Sequence, residues 1–147
     1  MSALPPLHLF EAFGVELEYM IVGADDLNVR AIADAVLRES QESEPDDQIF
    51  PDVTWSNELA AHVIELKTSA PAPHLKGLAA TFQNHVARIE ARLVPHGARL
   101  LPTAMHPWMD PLREAKLWPH GDKEIYEALH QPEKAAPFRD EKPIKEF

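Results

Sequence analysis

The stretch Phe13-Gly14-Val15-Glu16-Leu17-Glu18-Tyr19-Met20-Ile21-Val22 sets two acids inside an otherwise apolar run. Side chains alternate across a strand with period two, so Gly14, Glu16, Glu18 and Met20 share one face and Val15, Leu17, Tyr19 and Ile21 the other. The second face is core. The first carries adjacent carboxylates, whose burial is costly unless a cation neutralises them. Two readings stay open at this point: a hard divalent cation such as Mg²⁺ held by the acids, or a half-exposed strand whose polar face is wet, as is ordinary in antiparallel sheets.

Working outward, Gly23-Ala24-Asp25-Asp26-Leu27-Asn28 is turn chemistry, and Val29, Ile32, Val36 and Leu37 repeat at the spacing of a short amphipathic helix. From about Ser40 to Asp52 the chain is acidic and aperiodic, which predicts a solvated loop. The apolar run Leu59–Thr68, bounded by Pro71 and Pro73, predicts a second long strand carrying a lone acid, Glu65. In that strand Glu58 has the opposite parity, with His62 and Ile64, so it would reach the same site only through a bulge. Glu58 is therefore the weaker candidate.

A helix is predicted over about 74–94, where Leu75, Leu78, Phe82, Val86, Ile89 and Leu93 step by three or four as a core face. Lys76, Gln83, Arg88, Glu90 and Arg92 form its solvated side, and Gly97 is available for a left-handed cap. Arg99–Pro102 reads as a third strand. It leads into an ordered loop, Thr103–Pro111, that holds His106, the histidine whose setting most resembles a site. Leu117-Trp118-Pro119-His120 is irregular, and Asp122 is placed to cap a last helix through Leu129. Beyond Gln131 mixed charge and three prolines predict a poorly ordered tail, giving a domain over 1–131 and a divergent segment over 132–147.

Composition bounds what the chain can do. With 147 residues, 45% hydrophobic and 26% charged, it has the makeup of one globular domain. A formal net charge of −10 repels phosphate backbones and argues against nucleic acid as a partner. There is no cysteine, which removes disulfides, thiolate zinc sites and a thiol nucleophile together. No apolar stretch is long enough to span a bilayer and the N-terminus lacks a basic leader, so the expectation is a cytoplasmic protein with no membrane partner.

Taken together, Phe13-Gly-Val-Glu-Leu-Glu-Tyr, Trp55-Ser-Asn-Glu-Leu-Ala-Ala-His-Val-Ile-Glu-Leu-Lys-Thr, Gly97-Ala-Arg-Leu-Leu-Pro-Thr-Ala-Met-His-Pro-Trp-Met-Asp-Pro and Leu117-Trp-Pro-His resemble the glutamate–cysteine ligase family 2, the carboxylate-amine ligases. The resemblance runs from about residue 10 to 129. It implies an α+β fold in which an antiparallel sheet, similar to that of glutamine synthetase, carries helices on one face. It also implies ATP and Mg²⁺ as cofactors, a glutamate-like amino acid as substrate, and an acyl phosphate that an amine converts to an amide. By the same resemblance Glu16 and Glu18 match the metal-binding Glu-x-Glu, Glu65 the acid of the Glu-Leu-x-Thr strand, and His106 the His-Pro loop near the substrate pocket. Family members are more than twice as long, so this chain resembles an N-terminal portion. Half of such a sheet leaves edges unpaired, which predicts a homo-oligomer or a partner chain on the open edge. Two other readings belong beside the ligase: a non-catalytic fragment or interaction module, and a metal-dependent hydrolase with His106 or His62 as base.

Overall fold

The computed structural model describes residues 6–38, 47–103 and 105–120. Five strands, β1 (Glu16–Gly23), β2 (Gln48–Ile49), β3 (Val53–Asn57), β4 (Val63–Thr68) and β5 (Ala98–Leu101), form one open sheet in the order β2-β3-β4-β1-β5, every neighbouring pair antiparallel. Three helices accompany it: α1 (Ala33–Leu37), α2 (Leu78–Leu93) and α3 (Pro111–Glu114). The α+β class is thus as expected, with an open antiparallel sheet.

The acid-bearing stretch of the sequence is β1, and it lies inside the sheet between β4 and β5. Backbone bonds in both directions between Phe13 and Ala72, each 2.8 Å, continue the pairing beyond the strand's first residue. Of the four β1 residues predicted to face the core only Ile21 is buried, and it shares that face with Ile64, Leu66, Trp55, Val53, Ala98 and Leu100. Onto it pack Ala33, Val36 and Leu37 of α1 and Phe82, Ile89 and Leu93 of α2. Fully burying an aliphatic or aromatic side chain of this kind contributes roughly 1.5–3 kcal/mol, so this layer is the main source of stability. Coverage thins toward the start of β1: Val15 and Tyr19 are half-buried and Leu17 is 36% exposed.

Several expectations change in the structure. The second long strand starts at Val63, not Leu59, because residues 59–62 form a turn tied down by backbone bonds from Ala61 N–H to Lys116 and from Trp118 N–H to Leu59. Part of the stretch read as a loop, Gln48–Ile49, is β2, while residues 39–46 lie outside the described residues. Strand β3 has no counterpart in the sequence reading. Val53, Thr54, Trp55 and Ser56 are all buried, so both its faces are covered and it lacks the alternation that marks a half-buried strand. Helix α1 is only five residues long, and Val29 instead bridges to Val22.

Helix α2 begins at Leu78, after Gly77 in a left-handed conformation at φ 92°, which leaves Leu75 outside the helix and 55% exposed. Its C-terminal end runs through a 3₁₀ turn, Val94–His96, into Gly97 at φ 60°, the left-handed cap expected there. The side of α2 read as solvated is partly engaged. Arg88 lies over the Phe50 ring and Arg92 over Trp55, while Arg92 also donates to the Val36 carbonyl at 2.8 Å. His85 is buried among them, accepting from Trp55 Nε1 at 2.9 Å on Nδ1 and meeting Asp52 at 3.1 Å on Nε2. The helix from Asp122 and the tail beyond Gln131 lie outside the described residues.

Candidate functional site

The face of the sheet turned away from the helices carries the acids. In the β1–β4 pair Glu16 stands opposite Lys67 and Glu18 opposite Glu65, and in the β3–β4 pair Ser56 stands opposite Glu65. Three strands therefore bring Glu18, Glu65 and Ser56 onto one line across the sheet. Glu58 joins them from the turn immediately after β3. Carboxylate oxygens of Glu18, Glu58 and Glu65 all lie within 4.8 Å of one another.

The parity that made Glu58 the weaker candidate applies only inside a continuous strand. Because the chain leaves β3 at Asn57 and re-enters the sheet at Val63, Glu58 swings onto the acid face without a bulge. Glu16 is exposed, and its register partner is a lysine rather than an acid. The structure thus brings together two of the three acids singled out in the sequence, Glu18 and Glu65, adds Glu58, and leaves Glu16 beside the cluster. Lys67 and Ser56 were not singled out, although the period-two pattern already put Lys67 on the face of Glu65.

The three acids differ in their surroundings. Glu65 is buried, and its Oε2 accepts from Ser56 Oγ at 2.5 Å and from Lys67 Nζ at 2.7 Å. Burial alone would push its pKa up, but the hydrogen bonds from Lys67 and Ser56 and the ammonium charge outweigh that and hold it below the usual glutamate value. Glu58 has a backbone hydrogen bond from Leu59 and the charge of Lys67 in its favour, and these are outweighed. Burial, then the charges of Glu65 and Glu18, push its pKa up. Lys67 is pulled down by burial and raised more strongly by its bond to Glu65 and by the charges of Glu65, Asp47 and Glu16, so it stays protonated.

This donor set suits a hard cation. It offers carboxylate oxygens from three side chains on two strands and a pinned turn, with no soft ligand, which is the chemistry Mg²⁺, Mn²⁺ or Ca²⁺ selects. The upward pull on Glu58 comes first from its burial and then from the like charges of Glu65 and Glu18, which the Lys67 charge offsets only in part.

His106 is engaged elsewhere. Its Nε2 lies 2.7 Å from the Leu27 carbonyl, so that nitrogen carries the proton, and its Nδ1 accepts from the Trp108 amide at 3.4 Å. Trp108 in turn reaches Asn28 through Nε1. These contacts fasten the loop around residues 105–110 to the turn that follows β1. Asp110 caps α3 by accepting from the Leu112 amide at 3.1 Å. His62 is buried under the same region, and its Nδ1 has no partner among the described residues.

The family model for glutamate-cysteine ligase family 2 matches residues 12–140, most of the chain. The chain belongs to that family. The match runs past residue 129, where the sequence reading has the likeness end. An uncharacterized protein of Archaeoglobus fulgidus is 33% identical over 115 residues, which cover 78% of this chain and 30% of that relative. The chain therefore spans about 30% of the length of this relative. No solved structure matches. Among the described residues no helix is long and apolar enough to cross a membrane.

Proposed function

We propose that this chain carries the first part of an ATP- and Mg²⁺-dependent carboxylate-amine ligase site, in which Glu18, Glu58 and Glu65 hold the cation. The observation that carries the reading is the convergence of three carboxylates on the face of an antiparallel sheet opposite α1 and α2, in a chain of the glutamate-cysteine ligase family. In such a site the bound Mg²⁺ supplies positive charge to the phosphates of ATP, since phosphoryl transfer depends mostly on positioning and charge neutralisation. The reaction passes the γ-phosphoryl group to a substrate carboxylate. An amine then attacks the acyl phosphate, forming the amide and releasing phosphate.

The chain's own part is to hold and orient. Ser56 and Lys67 fix one oxygen of Glu65 and leave the other open to a cation. The turn at 59–62, held by the Ala61 and Trp118 backbone bonds, sets Glu58 against the strand acids. A glutamate-like amino acid as substrate, a funnel-shaped sheet like that of glutamine synthetase and a cytoplasmic location belong to this same reading. His106 enters it as the residue that positions the 105–110 loop near the substrate.

The test is isothermal titration of ATP with Mg²⁺ into the purified chain and its Glu65→Gln variant. Binding in the parent that is lost in the variant supports the reading. Equal binding in both, or binding in neither, overturns it.

A further inference from the structure

Lys67 stands where a simple acid site would have no cation. Its Nζ lies 2.7 Å from Glu65 Oε2, its side chain is 34% exposed against 9% for Glu65, and its register partner across β1 is Glu16. The ammonium is thus attached to the acid cluster from the solvent side and shares a carboxylate with it. Ser56 donates to the same Oε2, so two donors hold one oxygen of Glu65 and neither takes the other.

Charge counting gives this contact a consequence. Glu18, Glu58 and Glu65 carry three negative charges when ionised, and Lys67 returns one, leaving two on the cluster itself, while Glu16 and Asp47 act on the ammonium from outside it. A single divalent ion neutralises that remainder. Without the lysine the same oxygens would present a third charge, would favour a more highly charged ion, and would hold any cation more tightly.

We propose that Lys67 is a built-in counter-cation that sets the charge of the acid cluster to match one divalent ion and lowers its affinity for cations. This rests on the reading of the acids as a cation site and adds a residue with a distinct role: Lys67 is a positioning residue that acts through Glu65. Like charges repel in proportion to their product, so an ammonium and a divalent ion around one carboxylate oppose each other about twice as strongly as two monovalent charges. Weakened binding has a use in a ligase, where a cation that arrives with a nucleotide must also leave with it.

The experiment titrates Mn²⁺, followed by paramagnetic resonance, and Tb³⁺, followed by luminescence, into the parent and into Lys67→Gln, Lys67→Met and Lys67→Arg. Lys67→Gln keeps a hydrogen-bond donor without the charge, and Lys67→Arg keeps the charge, so the set separates electrostatics from positioning. The expected result is binding of Mn²⁺ about tenfold tighter in the Gln and Met variants and near the parent in the Arg variant. The gain in log affinity for Tb³⁺ should be about one and a half times that for Mn²⁺, because the repulsion relieved scales with the charge of the ion. A lysine that merely braces the strand would not produce that ratio. Binding by the parent with no gain, or with a loss, in the neutral variants overturns the role of Lys67 and leaves the cation site standing. Absence of binding in the parent and in both neutral variants overturns the inference together with the site, and circular dichroism of each variant shows that the fold was intact in either case.

Discussion

Glu18 and Glu65 stand directly opposite one another across the antiparallel β1–β4 pair, two carboxylates where a sheet ordinarily sets opposite charges or apolar groups. Directly opposed like charges destabilise a strand pair by roughly 0.2–1 kcal/mol. Removing one should therefore stabilise the metal-free protein while abolishing any gain from a cation. Glu18→Gln is expected to raise the melting temperature in chelator and to cancel the rise that Mg²⁺ gives the parent. Thermal denaturation with and without Mg²⁺ checks both halves. A variant that melts lower in chelator would mean that Glu18 is a structural acid.

The placement of Glu58 yields a sharper comparison. Since Glu58 has an oxygen within 4.8 Å of Glu18 and Glu65 whereas Glu16 faces Lys67, Glu58→Gln should weaken Mn²⁺ binding by about tenfold or more, the scale on which even outer partners of a metal matter. Glu16→Gln should change it by less than a factor of three or so, through loss of a distant charge in solvent. Titration of Mn²⁺ into the two variants side by side decides the matter. The reverse order would restore the assignment made from strand parity.

That contrast also measures what the sequence could reveal. Glu18 and Glu65 are legible because each interrupts an apolar strand, and period two by itself assigns each to the polar face of its strand. Glu58 is not, because its position depends on where β4 begins. That is decided by backbone bonds from Ala61 N–H to Lys116 and from Trp118 N–H to Leu59, each joining residues more than 50 apart in the chain. Strand β3 is hidden for a related reason: a strand covered on both faces has no alternation to find. The helix α2 is readable from its apolar steps, yet His85 on its buried side is not. Nothing local signals that Trp55, 30 residues earlier, will supply the indole N–H it accepts. Elements with one buried face, such as β1 and α2, follow from periodicity, and the polar contacts that tie them together come from tertiary pairing.

His62 gives the fold a dependence on pH. It is buried with its Nδ1 unpartnered among the described residues. Burial and the nearby His106 lower its pKa from 6.5 against a smaller opposing pull from Glu114. The unfolded chain therefore takes up a proton below pH 6.5 that the folded chain refuses, so stability falls as pH drops from 6.5 toward the lowered folded value. Above 6.5 both states are neutral at this residue and its contribution is constant. Urea denaturation from pH 7.5 down to 5 should show the loss in the parent and a flatter profile in His62→Leu. An identical slope in the two proteins would assign the acid sensitivity to other groups.

Glu90 guards an edge of the sheet. Among the described residues strand β5 pairs with β1 on one side only, and the Leu100 amide, which β1 does not use, donates to Glu90 Oε1 at 2.9 Å. A side-chain carboxylate thus occupies a backbone donor that a further strand could otherwise engage. Charged groups at such positions oppose edge-to-edge pairing. Glu90→Ala frees the amide, at a cost of about 1 kcal/mol in the isolated chain, and takes away the charge. It is expected to move the protein toward dimers or larger species relative to the parent in light scattering at high concentration. Glu90→Gln retains an acceptor for the amide, so its association should fall between the two. If Glu90→Ala scatters like the parent at every concentration, β5 is not the strand through which copies of this chain would meet, and the self-association expected from an open sheet would have to use β2.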